Sequence, residues 1–93
     1  MTEGQRSSTT VKLRYFAWVR EKVGLAEESV ELPAHLETVS DLVGWVRSRG
    51  PEYAAAFERD DVIRAAIDQR HVRPSASIRG AREIAFFPPV TGG

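Results

Sequence analysis

Apolar and polar positions alternate near the start of the chain. Val11, Leu13 and Tyr15 fall on one side of an extended segment, and Lys12, Arg14 and Phe16 on the other, so residues 11–18 read as a first strand. Residues 19–24 suit a single helical turn or loop that Gly24 stops. Alternation returns over residues 28–32, with Ser29 and Glu31 set against Val30 and Leu32, until Pro33 ends it. Thr38 then stands three residues before Asp41, an acidic form of the capping box, ahead of an apolar stripe at Val39, Leu42, Val43 and Val46. This is the main helix, residues 38–49, closed by Gly50-Pro51. A second short helix over residues 51–58 has an early proline, with Tyr53, Ala54 and Phe57 facing inward. A third strand is expected over residues 62–67, a turn over 68–71, an irregular stretch broken by Pro74, and a last strand over 83–87 after a turn at Gly80. Pro88-Pro89 cannot continue a ladder, because proline lacks the amide donor, so the chain should leave the sheet there.

The order strand, strand, helix, then further strands contains no βαβ series. It predicts an α+β fold, a mixed sheet with one main helix packed on one face. A β-grasp, or ubiquitin-like, roll is the economical arrangement, with the first and last strands side by side in the middle of the sheet. The expected organisation is a solvated leader over residues 1–10, one domain over 11–88, and an extended tail over 89–93.

Composition narrows the chemistry. Thirteen basic residues balance thirteen acidic ones, so no overall field favours nucleic acid or membrane, and a partner must be read by local shape. The chain of 93 residues has no cysteine, which removes disulfides, thiolate nucleophiles and cysteine metal sites, so reactive sulfur cannot sit on its own side chains. No apolar run is long enough to span a bilayer, and residues 1–10 lack the apolar segment of a signal peptide, so the expected location is the cytoplasm. His35 and His71 have no ligand-spaced partners, Ser7-Ser8 lacks the strand–turn–helix setting of a nucleophile elbow, and no phosphate-binding loop is visible. Glu27-Glu28 and Asp60-Asp61 read as solvated turn charges, and Arg64, Arg70, Arg73, Arg79 and Arg82 as dispersed cations. No bound cofactor or metal is expected.

Two features remain as candidates. A terminal Gly92-Gly93 pair arises by chance in about one chain in 200, given glycine at roughly 7% of residues. Without Cβ atoms such a terminus can enter a narrow slot, and residues 89–93 reach at most about 17 Å when extended. Pro88 and Pro89 stiffen the root of that arm and reduce the entropy lost on docking. The second candidate is the pair Phe16 and Phe87, which strand parity leaves on the sheet face opposite the main helix, near the tail root.

Three segments resemble the small, sulfur-carrying subunits of molybdopterin synthase. Residues 16–24 (Phe-Ala-Trp-Val-Arg-Glu-Lys-Val-Gly) are similar to the family's F-A-x-x-R-E-x-x-G, and residues 38–42 (Thr-Val-Ser-Asp-Leu) to its T-V-x-x-L. Residues 83–93 (Glu-Ile-Ala-Phe-Phe-Pro-Pro-Val-Thr-Gly-Gly) closely resemble its E-V-A-F-F-P-P-V-[ST]-G-G ending. The resemblance implies a β-grasp fold and a two-partner cycle. A ubiquitin-activating-like enzyme would adenylate the Gly93 carboxylate with ATP, and sulfur would displace AMP to give a thiocarboxylate. A large catalytic subunit would then admit the tail Pro89, Val90, Thr91, Gly92 and Gly93, passing the sulfur to cyclic pyranopterin monophosphate. The chain itself would be a non-catalytic, sulfur-donating subunit. The expected partner interface comprises Phe16, His71, Phe87 and Pro88. The chain departs from the family at Asp68, where Asn is usual, at His71, where an aliphatic or aromatic residue is common, and at residues 80–83, where D-G-D-E is usual. Carriers of the thiamine and cysteine pathways, and ubiquitin-like protein modifiers, are the alternatives.

Overall fold

The fold is that of a computed structural model, which describes residues 9–89. Of the expected leader and tail, only Thr9, Thr10 and Pro89 fall within the described residues. Five strands form one mixed sheet: β1 (Thr9–Tyr15), β2 (Glu27–Leu32), β3 (Arg64–Ile67), β4 (Arg70–Val72) and β5 (Glu83–Phe87), in the order β2-β1-β5-β3-β4. β1 and β5 run parallel side by side, while β1–β2, β3–β5 and β3–β4 are antiparallel. This is the predicted β-grasp, with the first and last strands adjacent inside the sheet.

One face of the sheet carries the core. Val11, Leu13 and Tyr15 of β1, Ala65 of β3, and Ile84 and Phe86 of β5 are buried there against three helices: α1 (Ala17–Val23), α2 (Val39–Arg47) and α3 (Pro51–Ala56). α2 begins as its sequence predicts. The Asp41 amide donates to Thr38 Oγ1 and the Thr38 amide donates to Asp41 Oδ2, each at 3.1 Å, a reciprocal cap that stabilises a helix start by about 1 kcal/mol. The Glu37 amide, which donates to Asp41 Oδ2 at 3.0 Å, and then the Thr38 amide hold the Asp41 carboxyl below its ordinary pKa. Val39, Leu42 and Val46 are buried, whereas Val43, expected in the same stripe, is only half-buried at its margin.

Several expectations need correction. The first strand stops at Tyr15, and a full helix replaces the expected single turn, ending at Gly24 in the left-handed region (φ 91°). On α3 the inward face is Tyr53, Ala56 and Phe57, spaced i, i+3, i+4; Ala54 lies a quarter-turn away and is exposed. Asp60–Val62 is a 3-10 turn, so β3 starts two residues later than expected. The turn expected over 68–71 contracts to Asp68-Gln69, both at positive φ (49° and 72°), because Arg70 and His71 pair back onto β3 as an edge strand. That strand has three residues and no apolar alternation to announce it.

Candidate partner-docking face and tail root

The other face of the sheet has no helix on it, and the registers define its contents. One row runs across all five strands as Glu27, Arg14, Ala85, Ala66 and His71. The next row, toward the tail, pairs Phe87 with Arg64. Tyr15 is registered with Phe86, so one further step along these parallel strands brings Phe16 beside Phe87. The Phe16 amide extends the ladder by donating to the Phe86 carbonyl at 3.0 Å. The predicted parity therefore holds: Phe86 is fully buried among Tyr15 and Phe57, while Phe87 emerges opposite.

Phe16 is 40% exposed, which is costly for so large an apolar side chain left in water. Its position is enforced. The next residue, Ala17, has φ 56°, a conformation uncommon for a residue with a Cβ, and this bend carries the chain from β1 into α1. The Phe16 carbonyl accepts the first amides of that helix, from Val19 and Arg20. Arg14 lies over the Phe16 ring, 5.1 Å from its centroid, and also reaches Glu83 (3.5 Å) and Glu27 (3.6 Å). Between the larger side chains, Ala66 and Ala85 form a low floor.

Phe87 is half-buried and its ring lies 5.1 Å from that of exposed His71. Pro88 and Pro89 come next, both half-buried. The structure thus brings Phe16, His71 and Phe87, three of the expected interface residues, to the tail-root end of one face, and Pro88 follows directly after the strand. Val90, Thr91, Gly92 and Gly93 lie outside the described residues.

A second feature is not evident from the sequence. Glu28, expected as a solvated turn charge, lies in β2, and its Oε2 accepts hydrogen bonds at 2.8 Å from Tyr15, Tyr53 and Arg49. A second Arg49 nitrogen reaches Oε1 at 3.3 Å, and the guanidinium also covers the Tyr53 ring. Burial alone would raise the Glu28 carboxyl, but the bonds from Arg49, Tyr15 and Tyr53 outweigh it and hold it below its ordinary pKa. Burial first, then the bond to Glu28, push both tyrosine hydroxyls up. The signal was parity: Glu28 shares its side of β2 with Val30 and Leu32, so it points inward. This cluster ties β2 to β1, to the turn after α2 and to α3, and lies away from the open face.

Other candidates stay apart. Asp60 and Asp61 are exposed, in ion pairs with Arg47 (3.1 Å) and Arg59 (3.3 Å). They rim a cavity of about 190 Å³ on the helix side, floored by Val39, Val43, Ile63 and Phe86. Among the described residues no group of three His, Asp or Glu side chains could hold a metal ion, and no helix is long and apolar enough to cross a membrane.

Comparison with known proteins agrees with this architecture. The sequence pattern of the ThiS family matches residues 13–93. The molybdopterin synthase sulfur carrier subunit of Escherichia coli is 37% identical over 83 residues, covering 89% of this chain and 99% of that one. Among solved structures, a Pyrococcus furiosus protein described as a molybdopterin converting factor subunit 1 superposes with a TM-score of 0.69 at 28% identity, covering 89% of this chain and all of that one. Small archaeal modifier protein 1 of Haloferax volcanii shares the fold, with a TM-score of 0.67 at 20% identity over 88% of this chain and 99% of its own. With its β-grasp sheet and Pro-Pro tail root, the chain belongs to the ThiS family, among the molybdopterin synthase sulfur carrier subunits.

Proposed function

We propose that this chain carries sulfur for molybdenum cofactor assembly as a thiocarboxylate on Gly93, and delivers it inside a large molybdopterin synthase subunit. The observation that carries this reading is the tail root. The central strand β5 ends at Phe87 between exposed Phe16 and His71, and Pro88-Pro89 direct the chain out of the sheet. A rigid platform and a narrow arm are what a carrier needs, since its reactive atom must enter another protein's active site. The absence of cysteine supports the same division of labour, because no side chain here can hold the sulfur.

In this reading the Gly93 carboxylate attacks the α-phosphorus of ATP in an adenylating enzyme, releasing pyrophosphate. A sulfur donor then displaces AMP, and the acyl carbon now bears sulfur. In the large subunit the sulfur leaves the acyl carbon for cyclic pyranopterin monophosphate and water returns Gly93 to a carboxylate, so two thiocarboxylated chains supply the two sulfurs of one dithiolene. The chain contributes docking and presentation, and the large subunit the catalytic side chains. The test is reconstitution: thiocarboxylated chain, large subunit and cyclic pyranopterin monophosphate should yield the dithiolene product, and chain lacking Gly93 should yield none. Product formation by the truncated chain would refute the reading.

A further inference from the structure

We infer that the docking face is electrostatically divided, and that its β3–β4 flank selects a large subunit presenting carboxylates opposite Arg64 and His71, beside an apolar seat for Phe87. This rests on the carrier reading and adds the chemistry of the partner's surface.

On the β1–β2 flank the cations of strand β1 are paired within the chain: Lys12 with Glu27 (3.7 Å), and Arg14 with Glu27 and Glu83. Such exposed pairs leave little net field. The β3–β4 flank differs. Arg64 stands opposite Phe87 in the register, His71 lies against the Phe87 ring, and both are exposed. Neither has an ion-pair partner among the described residues. The registers place no acid on that flank of the face; the row ends in Ala85, Ala66 and His71. The two alanines keep the floor low, so an incoming side chain that packs on Phe87 would bring its neighbours within reach of the Arg64 guanidinium. A neutral apolar partner would have to desolvate that cation without compensation, whereas a carboxylate would replace its water with a charge-assisted bond. Complementary charge at such a rim acts mainly on encounter rate and discrimination between partners.

The experiment measures binding of the full chain to the large molybdopterin synthase subunit of the same organism, at low and at moderate salt. The unmodified chain should bind more weakly as salt rises. Arg64→Glu should bind about three- to tenfold more weakly at low salt, and with a flatter salt dependence. Arg64→Lys should retain most of the binding, and both variants should melt like the parent because Arg64 is exposed. Unchanged affinity in Arg64→Glu, or affinity of the parent chain that ignores salt, overturns the inference while leaving the carrier reading in place. Failure of every form, including the parent, to bind the large subunit overturns both.

Discussion

The guanidinium of Arg14 covers the ring of Phe16, 5.1 Å from its centroid, and leaves that ring 40% exposed at the edge of the tail root. A large apolar side chain held outward in this way has little packing of its own to lose. Phe16→Ala should change stability by less than about 1 kcal/mol. As an interface aromatic it should cost about 2–4 kcal/mol of binding to the large subunit, roughly 30- to 1,000-fold in affinity. Phe87→Ala should behave alike. Phe86→Ala, one residue earlier but fully buried, should instead cost about 3–5 kcal/mol of stability. Thermal melts and titration calorimetry on the three variants separate the cases, and a collapsed melt for Phe16→Ala would place that ring in the core.

The Glu28 cluster predicts a pH dependence of stability. The folded state holds this carboxyl below its ordinary value, so its contribution is present above the unfolded pKa and is lost as pH falls through the folded one. The hydroxyls of Tyr15 and Tyr53 are raised, so their contribution is present at neutral pH and fades as pH climbs past the ordinary tyrosine value. Glu28→Ala leaves the Tyr15 hydroxyl and Arg49 without their acceptor. It should cost about 2–3 kcal/mol, lowering Tm by about 10–20 °C at neutral pH, with a smaller loss in acid. An acid-melting profile identical to the parent's would contradict the assignment.

The Asp68-Gln69 turn holds two residues at positive φ, the I′ geometry that favours Gly at its second position. Gln69→Gly should therefore stabilise the protein by about 1 kcal/mol, about 4–8 °C in Tm. Asp68 has a separate task. Its Oδ1 accepts from the amides of Arg82 (3.1 Å) and Glu83 (2.9 Å), fastening the hairpin to the start of β5. Asp68→Ala should destabilise by about 1–2 kcal/mol, read in the same melts.

Much of this was legible in the chain because each signal has a local physical cause. Parity placed Val11, Leu13 and Tyr15 inside and Phe16 outside, and Thr38 with Asp41 marked the start of α2. β4 was not legible, because Arg70, His71 and Val72 form a strand only by pairing with β3 across a turn that Asp68 anchors from 15 residues away. The Glu28 acceptor needed Tyr15, Tyr53 and Arg49 brought together from three elements, which adjacency to Glu27 disguised. Likewise Arg64 reads in the sequence as one of several dispersed cations, and only the register sets it beside Phe87.

The glycines at the tail should act through steric access. Gly92→Val should fold and melt normally yet resist adenylation, since a branched side chain cannot enter a narrow channel that admits glycine. Pyrophosphate release with the adenylating enzyme and ATP measures this, and release at the parent rate would show that the channel does not select glycine.

The most direct test of the carrier role is the intact mass of the chain after incubation with its adenylating enzyme, ATP and a sulfur donor. A carrier should gain the mass of one oxygen exchanged for sulfur, localised to Gly93 and absent when Gly93 is deleted. An unchanged mass, or a product joined to another protein through an isopeptide bond, would contradict that role.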